Sequence, residues 1–300
     1  MSDIKLTNRE ADLIASAMEI EAVDVKKAGR LGFMALALAQ TTLPHSKVEG
    51  TEFERTNGIY TLSIRVPRQV GILPYGMMPR ILIAWICTEA IKTKCPNLLL
   101  GKSLNEFMIK LGLSNSGGEG GDITRIKSQA KSLFSSTISL IKVDDDRSDD
   151  FDIENISMVR RARLLWNPRK PDENSIFESH LSLTQDFFKM ILDSSVPIDL
   201  RVLHSLRRSP LAMDIYVWLV YRFFILRRET LIPWRRLQSQ IGAKYQPNQR
   251  GLLDFKREFI KRLKEVLLFY PQAKAIVHEN GLKLYPSPFH IPQKMARMYL

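Results

Sequence analysis

MMPRILIAWICTEAIKTKCPNLLLGKSLNEFMIKLGLSNSGGEGGDITRIKSQAKSLF, residues 77–134, changes its hydrophobic period several times, and those changes decide the fold. Met77 to Lys94 is apolar on all sides and reads as a buried helix. Leu98-Leu99-Leu100 reads as a short strand. Ser103 is placed to cap a helix through Leu111, with Glu106 three residues on as its capping-box partner, and Gly112 stops it. A loop with Gly117, Gly118, Gly120 and Gly121 follows. Asp122 then caps a second helix, Ile123 to Phe134. Beyond it, Ile138–Val143 and Ile153–Trp166 read as strands around the acidic turn Asp144 to Asp150. Helix, short strand, helix, turn, helix and hairpin is the order of a winged helix, in which one helix meets the major groove and the hairpin is the wing.

Working toward the C-terminus, Asn167 to Asn174 holds Pro168, Pro171 and mixed charges and reads as a linker. Residues 176–205 read as a strand and two short helices. The first order of elements then recurs. Pro210 opens a helix to Arg227 from the first helical position, and Thr230-Leu231-Ile232 is the short strand. Trp234 to Ile241 is a helix stopped by Gly242, followed by the loop Lys244 to Asn248. Gln249 to Phe269 is a long helix ended by Pro271. Ala273–His278 and Leu282–Tyr285 flank the turn Glu279-Asn280-Gly281. Pro79 matches Pro210 and Leu111-Gly112 matches Ile241-Gly242, an offset of about 130 residues in pattern rather than identity.

Toward the N-terminus, residues 9–43 read as helical, the run Leu31 to Leu43 ending at Pro44. Phe53 and Ile59 to Val66 flank Asn57-Gly58, a hairpin signal. The expected fold is α+β and mainly helical: two tandem winged-helix domains, 71–168 and 176–290. A helix-and-hairpin region, 1–70, precedes them, 169–175 links them, and a tail, 291–300, follows.

The chain of 300 residues has 45% hydrophobic and 25% charged residues, which are globular proportions. Its formal net charge of +12 is uneven: residues 1–180 carry about +1 and residues 181–300 about +11. A polyanion is therefore expected at the C-terminal half. The cysteines, Cys87 and Cys95, form no disulfide framework and no zinc pattern. Met1 to Arg9 lacks a signal core, and the longest apolar runs, Phe33–Ala39 and Ile81–Cys87, are too short for a bilayer. A cytoplasmic protein with no membrane association is expected.

On the helix Gln249 to Phe269, at about 100° per residue, Leu252, Phe255, Phe259, Leu263 and Val266 share one face. Arg250, Arg257, Lys261 and Lys264 form a stripe about 60° wide on nearly the opposite side. Four aligned cations fit a duplex backbone or its base edges. A solvated face is the plain alternative, because Asp254, Glu258 and Glu265 lie at pairing distance in sequence. On the first unit's corresponding helix, Arg125, Ser128 and Ser132 face away from the core, with Thr124 and Lys131 at the margin. The acidic turn keeps the first wing away from phosphate, whereas the second wing carries Lys274 and His278. Arg160 and Arg161 fall on opposite faces of a strand; one is free to meet DNA or a partner while another closes a salt bridge.

Enzyme readings find no footing. Gly101-Lys102-Ser103 ends like a phosphate loop, but Pro96 stands where its first glycine is needed. The glycines from Gly117 to Gly121 have no strand feeding them as a dinucleotide loop requires. The five histidines are scattered, and the acidic turn lacks calcium-loop spacing. No catalysis, cofactor or metal is expected.

Leu73-Pro74-Tyr75-Gly76, Pro79 to Ala90, and Leu104 to Leu113 with the glycine loop and Ile123 to Phe134, resemble plasmid-encoded RepA-type replication initiators. Trp218, Arg222 and Leu231 to Trp234 resemble the second half of that family. The resemblance spans residues 70–290. It implies binding to repeated sites in double-stranded DNA at a plasmid origin, local duplex opening, and recruitment of the host initiator and replicative helicase. It also implies a homodimer that represses its own gene. The residues also fit a winged-helix transcriptional regulator, or an adaptor whose winged helices bind protein.

Overall fold

The protein is described here from a computed structural model, in which residues 7–25, 27–36, 39, 41–57, 60–113, 121–143, 151–167, 169–242 and 245–292 are placed. Gly58 of the first hairpin turn, the glycines from 117 to 120, the acidic turn Asp144–Asp150, Pro168, Lys244 and the tail from 293 onward lie outside the described residues.

The chain opens with α1 (Asn8–Ala22). Thr7 caps it: its hydroxyl accepts from the Glu10 amide, and the Glu10 carboxylate accepts from the Thr7 amide at 2.8 Å. Strands β1 (Leu31–Ala35), β2 (Glu52–Asn57) and β3 (Tyr60–Arg65) follow. Then come α2 (Met77–Thr93), β4 (Asn97–Gly101), α3 (Leu104–Lys110) and α4 (Asp122–Ser135). Next are β5 (Thr137–Val143), β6 (Phe151–Ser157), β7 (Val159–Arg163) and β8 (Ser179–Leu183). After α5 (Gln185–Asp193), β9 (Ser195–Asp199) and α6 (Leu200–Ser205), the chain enters α7 (Pro210–Ile225) and β10 (Thr230–Pro233). It ends in α8 (Trp234–Ile241), α9 (Gln249–Phe269), β11 (Ala275–His278) and β12 (Gly281–Leu284).

Two three-stranded antiparallel sheets have the same plan. One has the order β4-β8-β7 and the other β10-β12-β11. In each, the strand after the apolar helix pairs with the last strand of the unit, and the strand between them in sequence lies at the edge. Helix, strand, helix, helix and hairpin therefore occur twice.

The hairpin of the first unit is not the expected one. β5 and β6 pair with each other, but β5 also pairs with β3 in a separate sheet of order β2-β3-β5-β6. The run read as one strand, Ile153–Trp166, breaks at buried Met158 and changes sheets there. The hairpin that joins β4 is β7–β8. The segment 169–175, read as a linker, thus connects neighbouring strands of one sheet, and β8 belongs with the first unit's strands. Its Pro and charge content suits a long surface turn as well as a linker.

A second correction concerns Leu31 to Leu43. Leu31–Ala35 is strand β1, buried at every residue and antiparallel to β9. A fully buried strand shows no alternation, so its apolar run cannot be told from helix by periodicity. Residues 176–205 accordingly hold two strands and two helices, β9 being the element not anticipated.

α2 is buried without interruption from Met78 to Thr88, and α7 buries Leu211–Met213 and Ile215–Val220. Both are apolar all round because both are surrounded over most of their length, Phe224 and Ile225 at the end of α7 being exposed. They meet at a buried ion pair: the Arg80 guanidinium donates to both Asp214 oxygens at 2.6 Å. Arg80 also donates to the carbonyls of Gly76 and Leu43, and His45 Nε2 lies 2.7 Å from Asp214. Burial pushes the Asp214 carboxyl up, but Arg80 and His45 outweigh it and hold it below its ordinary value. Burial dominates at His45 and pushes it down.

Candidate nucleic-acid interface

The second unit presents its long helix by locking the turn before it. Asn248 accepts from the Gly251 amide at 2.8 Å, and Gln238 Nε2 donates to the Gln246 carbonyl at 2.8 Å. Phe255, Phe259, Leu263, Val266 and Phe269 fill the core. Leu252, placed on that face by the sequence, lies half-buried at its edge. Trp234 packs edge-on against Phe259, and its indole donates to the carbonyls of His278 and Glu279.

Arg250, Arg257, Lys261 and Lys264 are all exposed. At 1.5 Å per residue they cover about 21 Å of helix. The acids beside them are mostly engaged elsewhere. Glu258 and Glu265 pair with Arg262, and Glu265 also holds Arg9 of α1. Within the stripe, among the described residues, Arg257 is in an ion pair, with Asp254 at 2.9 Å, its side chain still 81% exposed, and Lys261 acts on Glu10 of α1. α1 lies beside the C-terminal half of α9 through the Arg9–Glu265 pair, which leaves the N-terminal half, around Arg250 and Arg257, the most open.

Lys274 is exposed but stands one residue before β11, at the base of its hairpin and not at the tip. The tip holds Glu279 and Asn280 and is tied back by Lys256, which donates to the Glu279 carbonyl. Sequence reasoning passed over Arg235 and Arg236, exposed in the first turn of α8. Their signal was present: consecutive arginines at the start of the helix preceding a recognition-type turn.

In the first unit, Ile123, Ile126, Ala130, Leu133 and Phe134 of α4 are buried as expected. Thr124, Arg125 and Lys131 are exposed and Ser128 is half-buried. Ser132 is a correction. It is fully buried and its hydroxyl donates to the Ile72 carbonyl at 2.5 Å. It shares a side of the helix with Arg125, but the segment before α2 folds over that side at the C-terminal end. Gln129 there accepts from the Tyr75 amide. The open polar surface of α4 is therefore its N-terminal half, to which exposed Lys127 is added, together with Lys131.

On the edge strand β7, Arg160, Arg161 and Arg163 are all exposed. The register shifts between Val159 and Arg161, so the strict alternation expected for Arg160 and Arg161 does not hold. The N-terminal hairpin touches the second unit at the end of α8. Arg55 of β2 donates to the carbonyls of Gln238 and Gln240 at the end of α8, at 2.6 and 3.4 Å, and burial lowers its pKa to about 10. Among the described residues, no group of three or more His, Cys, Asp and Glu is placed to hold a metal ion, and no helix is long and apolar enough to cross a membrane.

The family profile of plasmid-encoded RepA protein matches residues 73–235, more than half of the chain. A comparison with curated proteins finds no match. Among solved structures, a crystal structure of domains 2 and 3 of RctB is similar at a TM-score of 0.55 and 11% identity, covering 83% of this chain and 96% of that one. A crystal structure of RctB residues 155–483 aligns at a TM-score of 0.49 and 14% identity, over 84% and 95% of the two chains. The first likeness supports the arrangement of helices and small antiparallel sheets.

Proposed function

The chain belongs to the family of plasmid-encoded RepA proteins, a replication-initiator family, and from that premise we propose that it starts replication by binding repeated origin sites in double-stranded DNA through two winged helices. The observation that carries this reading is the second unit's stripe, Arg250, Arg257, Lys261 and Lys264, exposed on the third helix of an order of elements that occurs twice. In a winged helix that helix enters the major groove, and its cations neutralise phosphates or read base edges. Arg235 and Arg236 extend the cationic surface toward the backbone. In the first unit Arg125, Lys127, Ser128 and Lys131 are the contacts, with Ser132 withdrawn. We take the first winged helix to run through β8, with α5, β9 and α6 as the connection to the second. Host initiator, replicative helicase and a second copy of this chain are the protein partners of this reading; the protein acts without a cofactor, in the cytoplasm.

Selection of duplexes from a random pool by the full-length protein, followed by footprinting on plasmid origin DNA, tests it. Protection repeated across tandem copies of one motif is the expected result. A single protected palindrome would assign the fold to transcriptional regulation, and the absence of any enriched sequence would favour a protein-binding adaptor.

A further inference from the structure

The hairpin β7–β8 presents Ile176 and Phe177 at 92% and 64% exposure, Ile176 being the most exposed large hydrophobic side chain among the described residues. Water-exposed apolar side chains of this size on a loop are ordinary when the loop is loose. This one is held. The Ser175 amide donates to the Lys102 carbonyl, the Asn105 amide donates to the Pro171 carbonyl, and the Leu165 amide donates to Ser179 Oγ. Trp166 stacks on Phe107 with ring centroids 4.9 Å apart, anchoring the outgoing strand in the core. The backbone thus fixes an apolar pair pointing into solvent.

The hairpin that carries the pair is cationic. The Arg163 guanidinium lies 6.0 Å from the centroid of the Phe177 ring. Arg160, Arg161 and Arg169 are exposed, and no salt bridge among the described residues engages any of the four arginines. The acids of the segment are turned to other work: Asp172 accepts from Asn105 Nδ2, Glu173 pairs with Lys170 and accepts from Asn167, and Glu178 is half-buried. An apolar tip beside Arg163, on a hairpin that carries three further exposed arginines, complements the minor groove, where arginines meet the narrow phosphate walls and apolar side chains part a base step.

We propose that Ile176 and Phe177 form a wedge that enters the minor groove next to the site of α4 and unstacks one base step, while Arg160, Arg161, Arg163 and Arg169 hold the flanking phosphates. This rests on the reading of the first unit as a duplex binder. It assigns the opening of the helix to a particular pair of side chains, and it makes the first unit's contribution mechanical where the second unit's is electrostatic. Wedges of this kind kink a duplex by roughly 20–90° and offset the broken stacking with a wider protein–DNA surface.

The test uses the full-length protein and a duplex recovered by selection from a random pool, with 2-aminopurine placed at successive positions. Wild type is expected to raise the fluorescence several-fold at one step. The double variant Ile176→Ser, Phe177→Ser should bind the same duplex within roughly tenfold of wild type and give no rise. Both side chains are exposed, so its unfolding midpoint should match wild type. Arg163→Gln should keep the rise and weaken binding with a shallower salt dependence. An unchanged rise in the double variant overturns the wedge and reassigns the apolar pair to a protein partner. Failure of wild type to select any duplex overturns the DNA reading of the whole chain, and the wedge falls with it.

Discussion

The two halves of this molecule share one frame and use their sequence on it differently. The first unit has a third helix of 14 residues, α4, covered on its Gln129–Ser132 side by the segment before α2. It has a long loop between β7 and β8, and it carries the inserted hairpin β5–β6. The second unit has a third helix of 21 residues with an exposed cationic stripe, and its hairpin turns tightly at Glu279-Asn280. What the halves have in common is the frame: a buried apolar helix, the strand after it, and the order in which three strands pair. What differs is exposed. A fold of this kind keeps its core plan and places function in additions, so each unit is best tested where it departs from the other.

The sharpest test is at the contact that joins them. Arg80 and Asp214 come from the corresponding helices α2 and α7 and are almost wholly buried. Removing one partner leaves a buried charge alone, which costs about 3–5 kcal/mol. Asp214→Ala is expected to lower stability to chemical denaturation by that amount and to split one unfolding transition into two. A single transition with unchanged midpoint would mean that the units do not depend on each other through this pair. The pH dependence follows from the lowered Asp214 pKa. The contribution is fully present above the ordinary carboxylate value, about 3.9, and is lost as pH falls through the lower folded value.

Next in size is the contrast in electrostatics. Replacing Arg250, Arg257, Lys261 and Lys264 together by Ala should lower the slope of log affinity against log salt by about 3–4, close to 0.9 for each phosphate left without its cation. Lys261→Ala alone should account for about 1. The pair Arg125→Ala, Lys131→Ala in the first unit should remove no more than about 2. Titration of one selected duplex at several salt concentrations reads all three. A larger loss from the first unit's pair than from the second unit's stripe would invert the assignment.

A smaller effect comes from His204 of α6, which packs against Gly112, the residue that ends the turn after α3. A side chain at Gly112 would stand 3.0 Å from the imidazole, and the backbone there has a φ of +68°. Burial, then Arg207 and Arg30, lower the His204 pKa to about 4. The folded chain therefore binds fewer protons than the unfolded chain between pH 4 and about 6.5, and stability rises with pH across that window. The change is about 1–3 kcal/mol at most, since the ring is partly open to solvent. His204→Gln should flatten unfolding midpoints measured between these pH values, and an equally steep profile in the variant would place the titration elsewhere.

Much of this frame was legible in the residues. Ser103 and Pro210 announce helix starts by their chemistry, and Gly112 and Gly242 announce stops, because such signals act within a few residues. The stripe on α9 was legible for the same reason: helix geometry is local. The errors fall where distant chain decides. Leu31–Ala35 is a strand only because β9 lies beside it. β5–β6 leaves the first unit's sheet only because β3 is there to take it. The hairpin turn between Arg163 and Ser179 looked like a linker because nothing local says that β8 returns to β4.

Ser132 is the smallest of these cases and the most decisive for the comparison. By helix angle it belongs with Arg125 and a DNA-facing surface; in the structure Ile72 accepts its hydroxyl proton. Ser132→Ala removes that hydrogen bond and leaves a carbonyl in a buried place with one partner fewer, a loss of about 1 kcal/mol in stability. The affinity for a selected duplex should not move, since a buried hydroxyl meets no phosphate. The opposite result, unchanged stability with an affinity lower by about tenfold, would require the segment around Ile72 to leave α4 when DNA binds. The first unit would then expose a polar stripe on its third helix, as the second already does, and the difference between the two would belong to the free protein alone.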